Sequence, residues 1–186
     1  MMRLGLHAAV VAACLMVPIG AAAEGSADPP ATVATAAITA APAPGRGPVT
    51  SLPLPRYVSL KTSEGNARRG PGLAHRIDWV FTQPGMPLRV TAEHENWRRV
   101  EDAEGAGGWV HYSLLSGTRT VLVTEDLTEL LSRPDPRAEI VARAEIGVVA
   151  RLLECRGDWC RIAREGLRGW APRSALWGVD QGDPGG

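Results

Sequence analysis

Short stretches of β-type sequence follow one another along most of the chain. Residues 88–92, Leu-Arg-Val-Thr-Ala, alternate between apolar and polar with a period of two, which is typical of a strand with one buried face. Four other β-rich runs occupy 57–60, 77–81, 97–100 and 109–111, and turns that contain glycine or proline separate them. Since no long stretch after residue 23 has a helical period, the pattern predicts an all-β barrel or sandwich.

The order of these runs occurs twice. The first copy contains 93–100, Glu-His-Glu-Asn-Trp-Arg-Arg-Val, and then a Gly-Trp-Val run at 108–110. The second copy contains 154–162, Glu-Cys-Arg-Gly-Asp-Trp-Cys-Arg-Ile, and then Gly-Trp-Ala at 169–171. An internal repeat indicates one supersecondary unit or small domain per copy. We therefore predict two domains, at 55–117 and 118–180, before a short tail at 181–186. The connection between them is very short, which favours contact over free swivelling.

Residues 1–23 have the features of an export signal. Arg3 gives a positive start, an apolar run follows at 4–19, and three alanines at 21–23 supply the small residues expected before a cleavage site. Pro18 and Gly20 interrupt the run before it reaches the roughly 20 apolar residues of a transmembrane helix. We predict cleavage after Ala23 and a periplasmic or secreted mature chain that has no membrane span.

A lipoprotein is the alternative interpretation of the same segment. Residues 11–14, Val-Ala-Ala-Cys, resemble a lax lipobox with Cys14 as the anchored residue. The residues after Cys14 are still apolar, whereas an anchored chain usually becomes polar there. This favours removal of the whole segment over anchoring at Cys14.

Residues 24–54 have the composition of a linker. Six prolines lie among alanine, threonine and glycine, with no aromatic residue and no apolar periodicity. Such a segment buries too little surface to offset the entropy cost of ordering it. We predict a disordered, partly extended linker, either a tether or a plain spacer.

Removal of the predicted signal leaves two cysteines, Cys155 and Cys160. An even number in an exported chain suggests a disulfide. If residues 157–158, Gly-Asp, form a two-residue hairpin turn, the two cysteines face each other closely enough to bridge. The corresponding residues of the first copy are Glu93 and Arg98, whose opposite charges suit a cross-strand pair. We predict a disulfide, with metal ligation and a reactive thiol as the alternatives.

Charge and histidine positions argue against several classes of partner. The chain has 20 basic and 20 acidic residues, and this balance predicts no nucleic-acid partner. His75, His94 and His111 are scattered, and none has ligand spacing with a cysteine, so we predict no metal and no cofactor. We found no catalytic motif. A Cys–His enzyme would need a free thiol of low pKa, and the predicted disulfide removes it.

The repeated motifs resemble the bacterial SH3-like family, often written SH3b. The family pattern is Asn-x-Arg-x-Gly-Pro, a glycine before a strand, Trp-x-x-Val, Gly-Trp-Val and a closing helical turn. The first copy matches it at Asn66, Arg68, Gly70, Pro71, Gly85, Trp97, Val100, Gly108, Trp109 and Val110. The second copy matches at Pro134, Gly147, Trp159, Ile162, Gly169 and Trp170, and departs from it at Thr128 and Leu130. The resemblance covers 56–177 and implies two tandem five-stranded barrels that bind or target and rarely catalyse.

Six aromatic residues are candidates for a ligand-binding surface: Trp79, Trp97, Trp109, Tyr112, Trp159 and Trp170. Trp97 and Trp159 are predicted to lie on the strand face opposite the core, and therefore to be partly exposed. The two tryptophans that follow glycine, Trp109 and Trp170, are predicted to be buried at the barrel end. Exposed aromatic rings suit stacking or peptide docking, and the alternative is that they close the gap between the domains. The arginine pairs at 68–69 and 98–99 are expected to be solvated.

These observations predict an exported, non-catalytic binding or targeting protein whose ligand lies in the cell envelope. The resemblance implies a cell-wall peptide or glycan, and a shallow aromatic groove would also suit a proline-rich protein segment. The alternative is a structural or assembly protein that docks on another envelope protein.

Overall fold

A computed structural model of the protein describes residues 45–181 and residue 183. The predicted signal segment, with its lipoprotein alternative, and the linker up to residue 44 lie outside the described residues. The described part consists of short β-strands, two 3₁₀ helices and turns, and it contains no α-helix. The all-β prediction is confirmed. No helix in this part is long and apolar enough to cross a membrane.

The first domain is an antiparallel sheet of seven strands. Its strands are β1 (Arg56–Leu60), β2 (Gly65–Arg68), β3 (Ile77–Phe81), β4 (Pro87–His94), β5 (Trp97–Glu101), β6 (Gly107–His111) and β7 (Leu115–Ser116). They pair in the order β3-β2-β6-β5-β4-β1-β7. A 3₁₀ helix, Tyr112–Leu114, connects β6 to β7 and supplies the closing helical turn that the sequence predicts.

The second domain repeats this topology in a separate sheet. Its strands are β8 (Thr120–Val123), β9 (Thr128–Leu131), β10 (Ile140–Ala144), β11 (Val149–Arg156), β12 (Trp159–Arg164), β13 (Leu167–Pro172) and β14 (Leu176–Trp177). They pair in the order β10-β9-β13-β12-β11-β8-β14, and a 3₁₀ helix, Arg173–Ala175, precedes β14. Two sheets of identical order confirm that the second half of the chain repeats the first.

Each domain has seven strands. Two of them are short segments that the sequence pattern did not identify as strands. In the first domain, β2 lies in a stretch read as a turn, yet it pairs with β3 and β6. The two residues of β7 follow the helical turn and pair with β1. These segments have four and two residues, which is too short to show an alternating pattern. The same two additions, β9 and β14, occur in the second domain.

Each domain has its own apolar core. The core of the first domain is Leu60, Ala67, Phe81, Leu88, Val90, Val100 and Val110. The core of the second includes Val121, Val123, Leu130, Ala144, Ala150, Leu152, Cys160, Ile162, Ala171 and Leu176. Alternate residues of the central strands point inward in both sheets, as the period of two predicts.

The Gly-Trp motif is explained by close packing between strands. A Cβ atom on Gly108 would lie 2.6 Å from the carbonyl oxygen of Arg68, and one on Gly169 would lie 2.6 Å from the Cβ of Leu130. Any larger residue would therefore push β6 away from β2, or β13 away from β9. The glycine allows the strands to approach, and the tryptophan that follows pairs with a residue of the neighbouring strand.

The two domains are in direct contact. The edge of the Tyr57 ring in β1 packs against Trp177 with 5.3 Å between ring centroids, and the Arg119 guanidinium lies 5.7 Å from the Tyr57 centroid. The Tyr57 hydroxyl also donates to the Asp180 carboxylate at 3.1 Å. Burial, together with the negative charge of Asp180, raises the pKa of Tyr57. All described residues belong to one compact unit, so the prediction of contact over free swivelling is confirmed.

Residues 45–54 differ from the linker prediction, because they fold against the first domain. The backbone N–H groups of Val49 and Thr50 donate to one oxygen of Glu93, at 3.1 and 2.9 Å. The Thr50 hydroxyl donates to the other oxygen at 2.6 Å, and Arg56 pairs with it at 2.7 Å. Composition alone indicates disorder here, but one buried carboxylate supplies the partners that order the turn. The prediction of disorder remains for 24–44.

The second domain holds the equivalent hairpin position with a disulfide. Cys155 on β11 faces Cys160 on β12, with the two Cα atoms 4.0 Å apart and a bond between the sulfurs. Arg156 faces Trp159 in the same hairpin, so residues 157–158 form the predicted two-residue turn. The register of the first domain agrees, since Glu93 faces Arg98. The predicted disulfide is confirmed.

Replacement of both cysteines by serine is expected to lower the free energy of unfolding of the second domain by about 2 kcal/mol. A short closed loop contributes roughly this amount through the lost entropy of the unfolded chain. Urea unfolding followed by hydrogen exchange at amides of both sheets checks the prediction. Loss of protection in the first sheet alone would contradict it.

Candidate ligand-binding face

An aromatic face lies on β4, β5 and β6 of the first domain. It consists of His94, Trp97, Trp109, His111 and Tyr112. The strand register places His94 beside Trp97 and Trp97 beside His111, which forms a row across the three strands. Edge-to-face contacts join the rings, with centroids 5.4 Å apart for Trp97–His111 and 6.4 Å for His94–Trp109. Such contacts add stability beyond burial of area, so the rings hold one another in place.

Exposure within the aromatic face differs from the sequence prediction. Trp97 was expected to be partly exposed, but only 8% of its surface is accessible. That expectation is wrong, because the His111 ring packs edge-to-face against the indole and His94 faces Trp97 on the neighbouring strand. Trp109 was expected to be buried and is half-buried. Tyr112 presents an accessible ring, since it is 52% exposed.

The 3₁₀ helix that follows β6 positions Tyr112 at the rim of the aromatic face. The His111 side chain caps this helix, because its Nδ1 accepts from the backbone N–H of Ser113 and lies 2.7 Å from the Ser113 hydroxyl. The His111 and Tyr112 rings lie 5.0 Å apart and are tilted by 38°. The face therefore combines an exposed ring with hydrogen-bonding groups at its edge.

The equivalent surface of the second domain buries the other tryptophan of the pair, Trp170, and leaves Trp159 partly exposed. Trp159 pairs with Arg156 on one side and with Pro172 on the other, where the first domain has histidines. Trp170 is buried against Leu131, as predicted, and the Arg156 guanidinium lies 5.4 Å from its ring centroid. Trp159 is half-buried, which confirms the expected partial exposure.

A groove beside Trp159 has an acidic character. It has a volume of about 310 Å³, and its apolar lining includes Trp159 and Pro172. Glu125, Asp126 and Glu129 line the same groove. The sequence analysis did not single out these carboxylates, because they are scattered through a loop and a short strand. Only their positions beside Trp159 distinguish them from ordinary surface residues.

Trp79 lies apart from the aromatic face. It is on the edge strand β3 and is 47% exposed. Within the described residues it makes no ring contact with the other five aromatic candidates. The structure thus brings Trp97, Trp109 and Tyr112 together in one face, and Trp159 with Trp170 in the other domain.

The gap between the domains is closed by Tyr57 and Trp177, which the sequence analysis did not select. The ring contacts of the aromatic face join residues of the first domain. These contacts therefore do not support the alternative role of the candidate tryptophans, which was to close the gap between the domains.

One of the four paired arginines, Arg98, is buried, contrary to the expectation of solvation. Arg98 is buried beside Glu93, and it donates to the carbonyl oxygens of Glu95 and Trp97. Arg68 is half-buried, and it donates to the carbonyl oxygens of Leu73 and His75. Both guanidinium groups donate hydrogen bonds to backbone carbonyl oxygens at turns. Water would otherwise supply the donors for these oxygens.

Across residues 45–181 and 183, no three His, Cys, Asp or Glu side chains are grouped so that they could hold a metal ion. The aromatic face offers stacking surfaces and hydrogen bonds, and these are the means of recognising a neutral or weakly polar ligand.

Comparison with known proteins gives relatives at low identity. The chain is 24% identical over 122 residues to "Putative N-acetylmuramoyl-L-alanine amidase YrvJ" of Bacillus subtilis (strain 168). This match covers 60% of this chain and 23% of that protein. The chain is similar to the solved structure of NlpC2 from Trichomonas vaginalis, at 16% identity and a TM-score of 0.31, over 69% of this chain and 51% of that chain. It is also similar to the solved structure of NlpC1 from the same organism, at 17% identity and a TM-score of 0.32, over 68% of this chain and 47% of that chain. The chain thus spans about a quarter of the curated relative and about half of each solved chain.

A family model provides the assignment. The model described as "Bacterial SH3 domain" matches residues 61–117 and 125–178, which together make up more than half of the chain. Each match contains six of the seven strands of one sheet and omits only the first, β1 or β8. The chain therefore belongs to the bacterial SH3 domain family and carries two copies of that domain in tandem.

Proposed function

We propose that this is an exported, non-catalytic binding protein that recognises a peptide or glycan of the cell envelope through the aromatic face of its first domain. The observation that carries the proposal is the cluster of rings on β4, β5 and β6, with Tyr112 exposed at its edge. An exported chain acts in the periplasm or outside the cell, and this part of the proposal depends on the predicted signal segment.

The chemistry of the aromatic face suits such a ligand. Flat rings stack on the apolar faces of sugars and on the side chains of peptides, and they gain contact area with little loss of conformational entropy. The Ser113 hydroxyl and the neighbouring imidazole of His111 provide donors and acceptors beside the exposed Tyr112 ring. Rigid rings with polar groups at the rim are typical of shallow recognition sites.

The name of the Bacillus relative supports the choice of ligand. That protein is called a putative amidase of N-acetylmuramoyl-L-alanine, a compound in which an amino sugar is linked to an amino acid. The shared region covers 23% of it. We infer that the shared region supplies binding to a ligand of this sugar–peptide class.

The absence of catalysis is part of the proposal and has one structural support. The two cysteines in the described residues are bonded to each other, so neither sulfur is free to act as a nucleophile. Titration of free thiols in the mature protein tests this point, since a reactive thiol would reopen the Cys–His alternative.

Sedimentation with purified cell-wall sacculi tests the proposed function. The intact protein is expected to pellet with the sacculi, and Tyr112→Ala is expected to weaken binding by roughly three- to ten-fold through loss of one stacked ring. Tyr112 is exposed, so the variant is expected to keep its fold.

The matched control is Leu73→Ala, which removes an exposed apolar side chain outside the aromatic face. It is expected to pellet like the unmodified protein. If Leu73→Ala loses as much binding as Tyr112→Ala, the interaction is general adhesion. If the unmodified protein stays in the supernatant, the envelope-glycan proposal fails, and docking on an envelope protein becomes the better explanation.

A further inference from the structure

Three large side chains of the first domain are replaced by smaller ones at equivalent positions of the second domain. Phe81, Met86 and Leu88 of the first domain correspond to Ala144, Val148 and Ala150 of the second. Phe81 and Ala144 each end an edge strand and pair with the first residue of the neighbouring strand. Leu88 and Ala150 are each the second residue of the long strand and pair with the first strand of their domain. Met86 and Val148 each accept a hydrogen bond from the last residue of that first strand.

The smaller residues of the second domain leave a cavity. It has a volume of about 230 Å³, is half-open to solvent, and has Ala144, Val148 and Ala150 in its wall. An apolar cavity of about 150 Å³ is large enough to hold a benzene molecule. The space in the second domain can therefore accept a phenyl ring, and Ala144 in its wall stands at the position where the first domain has the buried Phe81.

Larger residues elsewhere in the wall do not fill the space. Leu130 stands where the first domain has Ala67, and Ile162 stands where it has Val100. Both side chains line the cavity. They are larger than their counterparts in the first domain, so they narrow the cavity without closing it. The cavity is lined by residues of the second domain alone.

Within the described residues, the outer edge of a strand beside the cavity has no pairing strand. Strand β10 is at the edge of the second sheet, and its residues Ala142, Arg143 and Ala144 line the cavity. Backbone N–H and C=O groups on the outer side of an edge strand can pair with an added strand. Ile140 and Val141 of β10 are exposed and apolar, which is a typical property of an edge that another chain covers.

The balanced charges at the rim of the cavity favour a polypeptide ligand over a charged small molecule. It carries Arg143 and Arg164 together with Glu145 and Glu165, so it has no net charge that would select an ion. Leu167, which is 59% exposed, extends the apolar surface outward from the mouth. A peptide backbone offers both donors and acceptors to such a rim, and its side chains can cover Leu167.

We propose that the second domain binds an extended polypeptide segment that adds a strand to the free edge of β10 and places one apolar side chain of phenylalanine size in the cavity. The first domain occupies the same space with its own Phe81, so this site belongs to the second domain only. It is separate from the aromatic face and does not depend on the envelope ligand proposed above.

Nuclear magnetic resonance titration of the full chain tests the proposal. The probe is a short capped peptide of threonine and serine with one central phenylalanine. We expect saturable shifts at the methyl groups of Leu130 and Ile162 and at the amides of β10, without equivalent shifts at β3. The same peptide with alanine at the centre is expected to bind about ten-fold or more weakly, because it leaves the cavity empty.

Two variants that fill the cavity provide the second arm. Ala144→Phe and Ala150→Leu restore the side chains of the first domain, and each is expected to weaken binding of the phenylalanine peptide about ten-fold or more. Using both keeps the test valid if one variant does not fold. Equal affinity for the two peptides, or full affinity in a folded filled variant, would overturn the proposal. So would binding of toluene without binding of either peptide, since the cavity would then accept only small molecules.

Discussion

Replacing Phe81 with alanine is expected to lower the free energy of unfolding of the first domain by about 3–5 kcal/mol. Phe81 is the largest of the fully buried side chains, and it packs in a core of only seven buried residues. Its removal loses the transfer free energy of the benzyl group and leaves a cavity that the surrounding strands can close only in part. In a domain of this size, that cost is a large fraction of the total stability.

Urea unfolding combined with hydrogen exchange at amides of both sheets measures this effect domain by domain. Ala144→Phe is the matched control, because it places the same ring at the equivalent position of the second domain. It is expected to leave the second domain as stable as before or more stable, since the cavity of about 230 Å³ provides the room. If Ala144→Phe destabilises as much as Phe81→Ala, the two core positions are not equivalent in the way described.

The two domains secure the same hairpin by different means. In the first, the residues that face each other are Glu93 and Arg98. In the second, they are Cys155 and Cys160. The second domain has alanine where the first has Phe81 and Leu88, and it also has the covalent link.

The hairpins could be predicted because turn chemistry determines register. A two-residue turn at 157–158 leaves only one partner for Cys155, and the repeated sequence transfers that pairing to the first domain. The fold class followed from the same local signals, since glycines and short alternating runs carry their own geometry. Gly85 and Gly147, the glycines that precede a strand in each copy, have backbone φ angles of +76° and +84°, as in turns that favour glycine.

Other features depend on contacts between residues distant in sequence. Alternation identified the face on which Trp97 lies, but His111, which covers it, comes from another strand. To predict the cavity beside Ala144, one must compare equivalent core positions of the two domains. Those positions are defined by the strand registers, which only the structure gives. The acidic groove beside Trp159 is likewise formed by residues that no local pattern connects.

The order in residues 45–54 depends on a single carboxylate, and Glu93→Gln is expected to cost about 3–5 kcal/mol. Glu93 is 6% exposed, and its side chain pairs with Arg56 at 2.7 Å and with Arg98 at 3.5 Å. A neutral amide would leave these guanidinium groups without their counter-charge. It would also replace one acceptor oxygen of the turn at Val49 and Thr50 with a donor.

The pH dependence of stability gives a sharper measurement of the same group. Burial alone would raise the pKa of Glu93, but hydrogen bonds from Thr50, Arg56 and Val49 outweigh it and lower the pKa from 4.5 to about 2. The charged carboxylate therefore stabilises the folded state fully above pH 4.5, and this contribution is lost as pH falls towards about 2. The loss is on the order of 3 kcal/mol.

Urea unfolding of the unmodified protein and of Glu93→Gln, each at pH 7 and at pH 2.5, isolates this contribution (roughly the two ends of the titration). The difference between the two proteins is expected to be large at pH 7 and to shrink as the pH falls, because only the unmodified protein has a carboxylate to protonate at this position. Glu129→Gln is the matched control, since Glu129 pairs with Arg143 at the surface and is expected to contribute at most about 1 kcal/mol. A difference between the unmodified protein and Glu93→Gln that stays constant with pH would show that Glu93 is not the charged anchor of this turn.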